Sequence, residues 1–589
     1  MTVVRIGNCS GFYGDRISAM SEMLTGGPLD VLTGDYLAEL TMLILARQKA
    51  KDPESGFART FLTQTKTNLA TAMERNVKLV SNAGGMNPRA LAEAISSFAI
   101  SEGLDAKVAW VDGDDITSRA AEFDLGEPLA ANAYLGGFGI ASALAAGADI
   151  VVTGRVTDAS VITGAAAWFH DWSRTDFDQL AAATVAGHII ECGAQATGGN
   201  YAFFTEIERM TRPGFPIAEI APDGSTVITK HPGTDGAVTT ETVLSQLLYE
   251  IQGARYAGPD VTTRLDSIQL DSDGADRVRI HSVHGEAPPP DCKVSLSEIG
   301  GYINSLTYLL TGLDIEAKAA LARAQFENSL SVEPESISWE LIRSDHPDAD
   351  VQSEATARLI VTARDPNKRT VGRSFSNAAV ESGLTNYPGL YMDSPPGDGH
   401  VYGRYRPAYV PQSAVPHRVH LWDGTVEEIP PPGRTRILEP TDLETTSPSA
   451  GTPTAATAVG SADSPTVRLP LGRIVGARSG DKGGNANVGV WARTDSVWEW
   501  LRTFLTTDQF RTLLPETASL PITRVELSNL RSINFVIEGL LGEGVASQAR
   551  FDAQAKAVGE WLRSRYVDVP SVLVPLQTSD SASDIQEMK

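Results

Sequence analysis

Cysteine is scarce in this sequence: Cys9, Cys192 and Cys292 are the only three, far apart and without a C-x-x-C pair. An odd, scattered set excludes a disulfide framework and the common zinc knuckles, and it suits a reducing compartment. Runs of Lys and Arg are missing too, and the formal net charge is −24. A protein that grips a phosphate backbone needs a basic face to release counterions, so no nucleic-acid partner is expected. A small anionic ligand stays open, because screening acts over ~8 Å and a few local donors outweigh a distant acidic surface. Long apolar runs are lacking as well. Leu40–Ala46 and Ile140–Ala148 fall well short of the ~20 residues of a membrane helix. The opening MTVVRIGNCSGFYGD has no basic and apolar signal-peptide pattern. No membrane partner and a cytoplasmic location are the expectations.

What remains is ordinary globular material, 42% hydrophobic and 21% charged. At 589 residues it exceeds the ~250–300 at which single cores stop growing, so two to four compact units are expected. Val3–Ile6, Lys78–Val80, Ala106–Val111 and Ala148–Val152 read as short buried strands, with helical stretches such as Arg89–Ser101 and Val161–Trp168 between them. That alternation predicts an α/β fold, a doubly wound and mostly parallel sheet over about the first 250 residues. From about 258 the texture predicts an α+β extension of the same large domain, with strands at Arg277–Val283, Arg358–Ala363 and Val419–Trp422 and a helix at Ile315–Phe326. A separate domain is the alternative. Residues 441–466 are rich in Ser, Thr, Ala, Pro and Gly and cannot bury enough to offset their ordering entropy, which predicts a flexible linker and the preferred site of proteolysis. Residues 467–575 alternate again and predict a small ferredoxin-like α+β domain, followed by a tail at 576–589. The large domain is then 1–440.

Four polar, glycine-rich loops are read as following strands in the first region, where the ligand crevice of an open α/β sheet lies. GNCSGFYGDR offers Cys9, Ser10 and Asp15; SNAGGMNP offers Ser81, Asn82 and Asn87; TGRVTDAS offers Arg155 and Asp158; ECGAQATGGN offers Glu191, Cys192 and Asn200. The plain reading of each is a turn with its helix cap. The chemical reading makes Cys9, at a helix start where a thiol pKa would fall, a nucleophile, and Asp15, Asp158 and Glu191 proton carriers. Arg155 would hold an anionic oxygen through its fork of donors, with Ser10, Ser81, Asn82, Asn87 and Asn200 as further binding groups. A fifth loop, SGDKGGNAN at Ser479–Asn487, places Asp481 as a proton carrier and Lys482 and Asn485 as ligand-binding groups, and it is expected to complete the site from the small domain. No metal site is expected: His281-x-x-His284 and His417-x-x-His420 would point to opposite faces of a strand, and no H-E-x-x-H occurs. G-x-x-x-G-x-x-G is not the dinucleotide fingerprint and SGDKGG is not a Walker A loop, so no cofactor is evident.

IGNCSGFYGDR, LVSNAGGMNP, VVTGRVTDAS and ARSGDKGGNANVGV, in this order, resemble the acyclic terpene utilisation protein A family. The resemblance spans nearly the whole chain. It implies a large family-specific domain plus a C-terminal ferredoxin-fold domain, and a link to citronellol and geraniol breakdown through branched acyl-CoA intermediates. The expectation is a non-redox enzyme of the hydratase, lyase or thioester hydrolase type, acting on a branched or unusual acyl-CoA or carboxylic acid. A coenzyme A thioester is then a possible substrate, and a homo-oligomer is expected. The alternatives are a non-catalytic binding or assembly partner of an acyl-CoA enzyme such as a carboxylase, and an ATP-dependent ligase or kinase.

Overall fold

The computed structural model describes residues 2–439, 465–547 and 550–574. The expected tail at 576–589, and the expected linker apart from Pro465 and Thr466, lie outside the described residues. Among the described residues the chain forms two units, one within 2–296, 406–439, 465–545 and 554–574 and one within 297–405, 546–547 and 550–553.

An eleven-stranded sheet organises the first unit. Its centre holds β1 (Val4–Asn8), β2 (Val31–Gly34), β3 (Lys78–Ser81) and β4 (Val108–Asp112). β5 (Ala130–Ala133) lies outside this sheet, and β6 (Ile150–Thr153) inserts between β3 and β4. These five central strands, in the order β1-β2-β3-β6-β4, run parallel. Antiparallel strands flank them on both sides, so the sheet is mixed and not mostly parallel. The reason is local. Pro216–Ile220 and Thr226–Lys230 are joined by a turn around Asp223 and Gly224, too short for anything but an antiparallel return.

Successive residues of the central strands enter two different cores, as the period of two requires. Val4, Ile6, Val31, Val80 and Val151 join one, and Leu32, Leu79, Ile150 and Val152 the other. The helices α1 (Ala19–Gly26), α3 (Arg59–Glu74) and α4 (Pro88–Ser101) supply the second core, while α2 (Glu39–Lys51) contributes Leu45 and Met42 to a smaller cluster. The first core takes α5 (Phe138–Ala145), α6 (Ser160–His170) and α7 (Phe177–Ile190). α7 is buried on nearly every side, which is why its sequence is alanine-rich and shows no polar stripe. Among the described residues no helix is long and apolar enough to cross a membrane.

The C-terminal ferredoxin-like region belongs to the same unit. Its strands Val475–Lys482, Asn485–Ala492, Ser532–Ile537 and Ile522–Leu527 pair antiparallel in that spatial order. Helices Asp495–Phe504, Thr507–Leu513 and Val558–Ser564 complete a core in which Phe510 stacks on Phe535 at 4.2 Å. Glycines here do not interrupt the strands. SGDKGGNAN is a hairpin whose strands are separated only by Gly483 and Gly484, with Lys482 opposite Asn485. Gly480 and Gly489 are needed for close approach: a Cβ on Gly480 would stand 2.2 Å from the Tyr249 ring, and one on Gly489 2.7 Å from the Leu248 side chain.

The second unit is built separately around Tyr302–Thr311, which pairs with Thr356–Asp365, itself paired with Ser336–Ile342. Helices Ile315–Ser329 and Phe375–Glu381 close its core, where Phe326 and Phe375 meet edge-on at 5.0 Å.

Candidate functional site

The carboxyl ends of the parallel strands bring polar side chains to one region of the first unit. Asp35 and Tyr36 follow β2, Asn82 follows β3, and Arg155 and Asp158 follow β6. Asn82 donates to Asp35 at 2.5 Å and accepts from the Tyr36 backbone N–H at 2.9 Å, so it fixes the loop that carries Asp35. Arg155, 2% exposed, pairs with Asp158 at 2.5 Å and lies over the Tyr134 ring at 4.2 Å. Lys293 takes the same ring at 4.7 Å and sits 3.7 Å from Glu39, to which the Tyr134 hydroxyl also donates.

α7 supplies the next wall. His188 Nδ1 is 3.3 Å from Glu191 Oε1, and its ring packs 5.2 Å from that of Tyr256. ECGAQATGGN therefore follows a helix, not the strand expected from sequence; the apolar Val185–Ile190 run is the buried end of α7.

The ferredoxin-like hairpin forms a third wall. Lys482 lies 5.8 Å from the Tyr256 ring, and Arg478, 6% exposed, lies over Tyr249 at 4.4 Å and donates to the Gln195 side chain. Asn487 docks the hairpin: it accepts from the Glu250 backbone N–H at 2.8 Å and donates to the Leu248 carbonyl at 3.0 Å. Glu250 is held at φ +58°, a left-handed conformation costly for a glutamate, and this contact helps to stabilise it.

The side chains of Asp158, Glu39 and Lys293 retain 28%, 29% and 25% of their accessibility. This partly open polar cluster is the candidate recess. Within it, burial pushes Glu191 and Asp35 well above the usual carboxylate range, and Asp158 adds to both. Burial raises Glu250 as well, against the pull of Lys482. Asp481 is raised to about 8 by burial, then by Glu250 and Glu39. Burial opposes ionisation of Glu39 too, but Lys293 and Arg155 outweigh it and bring that group to about 2. His188 falls to about 4 through burial and Lys482, so it is a neutral imidazole. Three sealed atoms here find no protein partner: Arg155 Nε, His188 Nε2 and Glu191 Oε2. Leaving such atoms unpaired costs about 1–3 kcal/mol each, which a ligand or water entering the recess would recover.

Of the residues singled out from sequence, Arg155, Asp158, Glu191, Asp481 and Lys482 meet at this recess, with Asn82 behind Asp35. The others are placed differently. Cys9 is 1% exposed and its thiol is pushed up to about 12 by burial, with Asp15 adding to it. That is opposite to the lowered pKa a helix-start nucleophile needs; α1 begins ten residues later, too far to help. Cys192 stands beside the recess carboxyls, but burial, with Glu191 and Glu250 adding to it, raises its thiol well above its usual value. Asp15 accepts from the Gly11 and Arg16 N–H groups and holds its own loop. Ser10 donates to the Phe12 carbonyl and Ser81 to the Gly34 carbonyl. Asn87 caps α4 by accepting from the Ala90 N–H. Asn200 is an exposed turn residue at φ +57°, and Asn485 accepts from the Gly539 N–H, which ties the hairpin to the loop after Ser532–Ile537. The reading from sequence missed Asp35, Glu39, His188, Glu250, Lys293 and Arg478. Only Asp35 carried a local signal, since TGDY directly follows an apolar strand.

Residues 4–421 match the model of the acyclic terpene utilisation family protein AtuA, and residues 469–568 match the AtuA ferredoxin-like domain. A search of curated proteins gives no match.

Proposed function

This chain belongs to the AtuA family, which is linked to acyclic terpene utilisation, and we propose that it is a non-redox enzyme that adds or removes water in a branched or unusual acyl-CoA or carboxylic acid. One observation carries this reading: Glu191, Asp35 and Glu250, whose carboxyl pKa values burial raises, stand beside the Arg155–Asp158 pair and Lys482. Raising a carboxyl pKa makes the group a better-matched proton donor near neutral pH, and pairing it with a second group of different environment divides the acid and base roles. Arg155 and Lys482 hold the carbonyl oxygen and accept the negative charge that grows there. Asp158, kept in place by Arg155, takes the proton from the carbon next to that carbonyl. Substrate entry exposes Glu191 Oε2, which gives its proton to the departing hydroxyl; this leaves as water, and the neutral His188 orients Glu191 from its other oxygen. Hydration is the reverse. Thioester hydrolysis through a cysteine is disfavoured, because both nearby thiols are held protonated. The coenzyme A thioester enters as substrate; the proposal includes a homo-oligomer and a cytoplasmic location, and no resident cofactor.

The test is to incubate the full chain with a panel of branched acyl-CoAs, without and with ATP, and follow products by mass spectrometry. Gain or loss of water without ATP is the expected result. Glu191→Gln keeps a similar shape but has no proton to give, so turnover should fall about 100-fold or more with ligand affinity roughly kept. Binding without any turnover would favour the assembly-partner reading, and ATP-dependent change the ligase reading.

A further inference from the structure

Arg478 stands out among the charged groups of the recess. It is 6% exposed, yet among the described residues no carboxylate lies within ion-pair distance. Among the described residues its side chain makes one hydrogen bond, from a terminal nitrogen to the neutral Gln195 side chain. The remaining N–H groups of the fork make no hydrogen bond among the described residues. Tyr249 takes the flat face of the guanidinium at 4.4 Å, which leaves to a ligand the part of the edge that does not bond Gln195. Burial works against its charge, and the groups that favour it are Tyr249, Cys192 and Glu250, none of them a paired anion. A buried arginine without an anion is expensive, and the cost disappears when a ligand brings one.

The strand geometry adds a second observation. Arg478, Gly480 and Lys482 occupy alternate positions of Val475–Lys482 and so share one face. Gly480 lets that face press onto the Tyr249 ring, while Lys482 reaches towards Tyr256 and the carboxyl cluster. Two cations about 13 Å apart along the backbone thus face the recess from one rigid strand. One is at the proposed reacting group, and the other is at the Gln195 end.

We propose that Arg478 recognises a second, free carboxylate on the substrate, so that the substrate class is the coenzyme A monothioester of a branched dicarboxylic acid. This rests on the acyl-group chemistry argued above for the same recess. The planar fork, with the N–H groups not bonded to Gln195 on its open edge, matches a planar carboxylate, and its depth suits a small acid group better than the phosphates of coenzyme A, which would need an open surface.

The experiment measures Kd by calorimetry for three probes on the full chain. They are free coenzyme A, the CoA thioester of a branched monocarboxylic acid, and the CoA monothioester of a branched dicarboxylic acid. The expected result is tenfold or greater preference for the dicarboxylic probe, a preference that Arg478→Gln collapses towards one and Arg478→Lys partly restores. Equal affinity for the two thioesters, or a preference that survives Arg478→Gln, overturns the proposal. A loss of free coenzyme A affinity in Arg478→Gln also overturns it, because the arginine then reads phosphate. If Arg478→Gln melts early, Arg478→Lys carries the same comparison, since it keeps the charge and loses the fork. Turnover is read separately. An Arg478-dependent preference without turnover sinks the hydration reading and leaves this one standing, turnover without preference does the reverse, and no binding of any probe sinks both.

Discussion

At the scale of single residues, the recess works by setting environments apart. Arg155→Lys keeps a charge but cannot keep both the planar contact with Tyr134 and the pair with Asp158. It should leave the fold intact by circular dichroism while turnover of the acyl-CoA panel falls at least tenfold, and unchanged turnover would remove Arg155 from the site. Asp481 permits a prediction about pH. Its folded value of about 8 lies above the ordinary 3.8, so between those values the folded state holds a proton that the unfolded chain has released. Its contribution to stability is therefore present below about 4 and is lost as pH rises through 8. Asp481→Asn never ionises. Its melting temperature should exceed that of the parent at pH 8, and the gap should close towards pH 4. His188 runs the other way, because its folded value of about 4 lies below 6.5 and stability is lost as pH falls through that window.

At the scale of elements, strands and caps decide whether the recess exists. Val475–Lys482 presents Arg478 and Lys482 only because Gly480 allows contact with Tyr249. Gly480→Ala puts a carbon 2.2 Å from that ring, so the ring or the whole hairpin must move. Such overpacking costs about 1–3 kcal/mol. The expected outcome is faster proteolysis and lost turnover, while Gly539→Ala, where a Cβ would meet nothing although φ is +73°, separates backbone strain from the clash. Asn87, by contrast, is a helix cap. Asn87→Ala should cost about 1 kcal/mol in urea unfolding and leave turnover unchanged; a loss of activity without a loss of stability would return it to the site.

At the scale of the whole molecule, the ferredoxin-like region is part of the first unit and not an appendage. Asn487 and Asn534 bond the backbone from Leu248 to Ile251, and Arg493 pairs with Glu206 and Glu241. Residues 1–440 expressed alone should lack Lys482 and the Asn487 brace on Glu250, and so show no turnover. Co-expression with 465–589 should restore it through these contacts. Full activity from 1–440 alone would mean that the hairpin adds nothing.

Local order was readable along the chain. Lys78–Ser81, Pro88–Ser101 and Ile150–Thr153 fall within a few residues of where apolar runs and a cap placed them, because side-chain periodicity and turn chemistry act over a few residues. The ferredoxin-like character of residues 467–575 was legible for the same reason. Arg155, Asp158, Glu191 and Lys482 were visible as chemistry-bearing residues, since each stands in a polar, glycine-flanked stretch. Tertiary structure alone decided the partners. Glu39, Glu250, Lys293 and Arg478 carry no local mark, and what makes them part of the site is burial beside charges hundreds of residues away. It also decided that the Cys9 thiol is buried and its pKa raised, because a thiol's ionisation is set by the dielectric and charges around it, and neither is written in the neighbouring sequence.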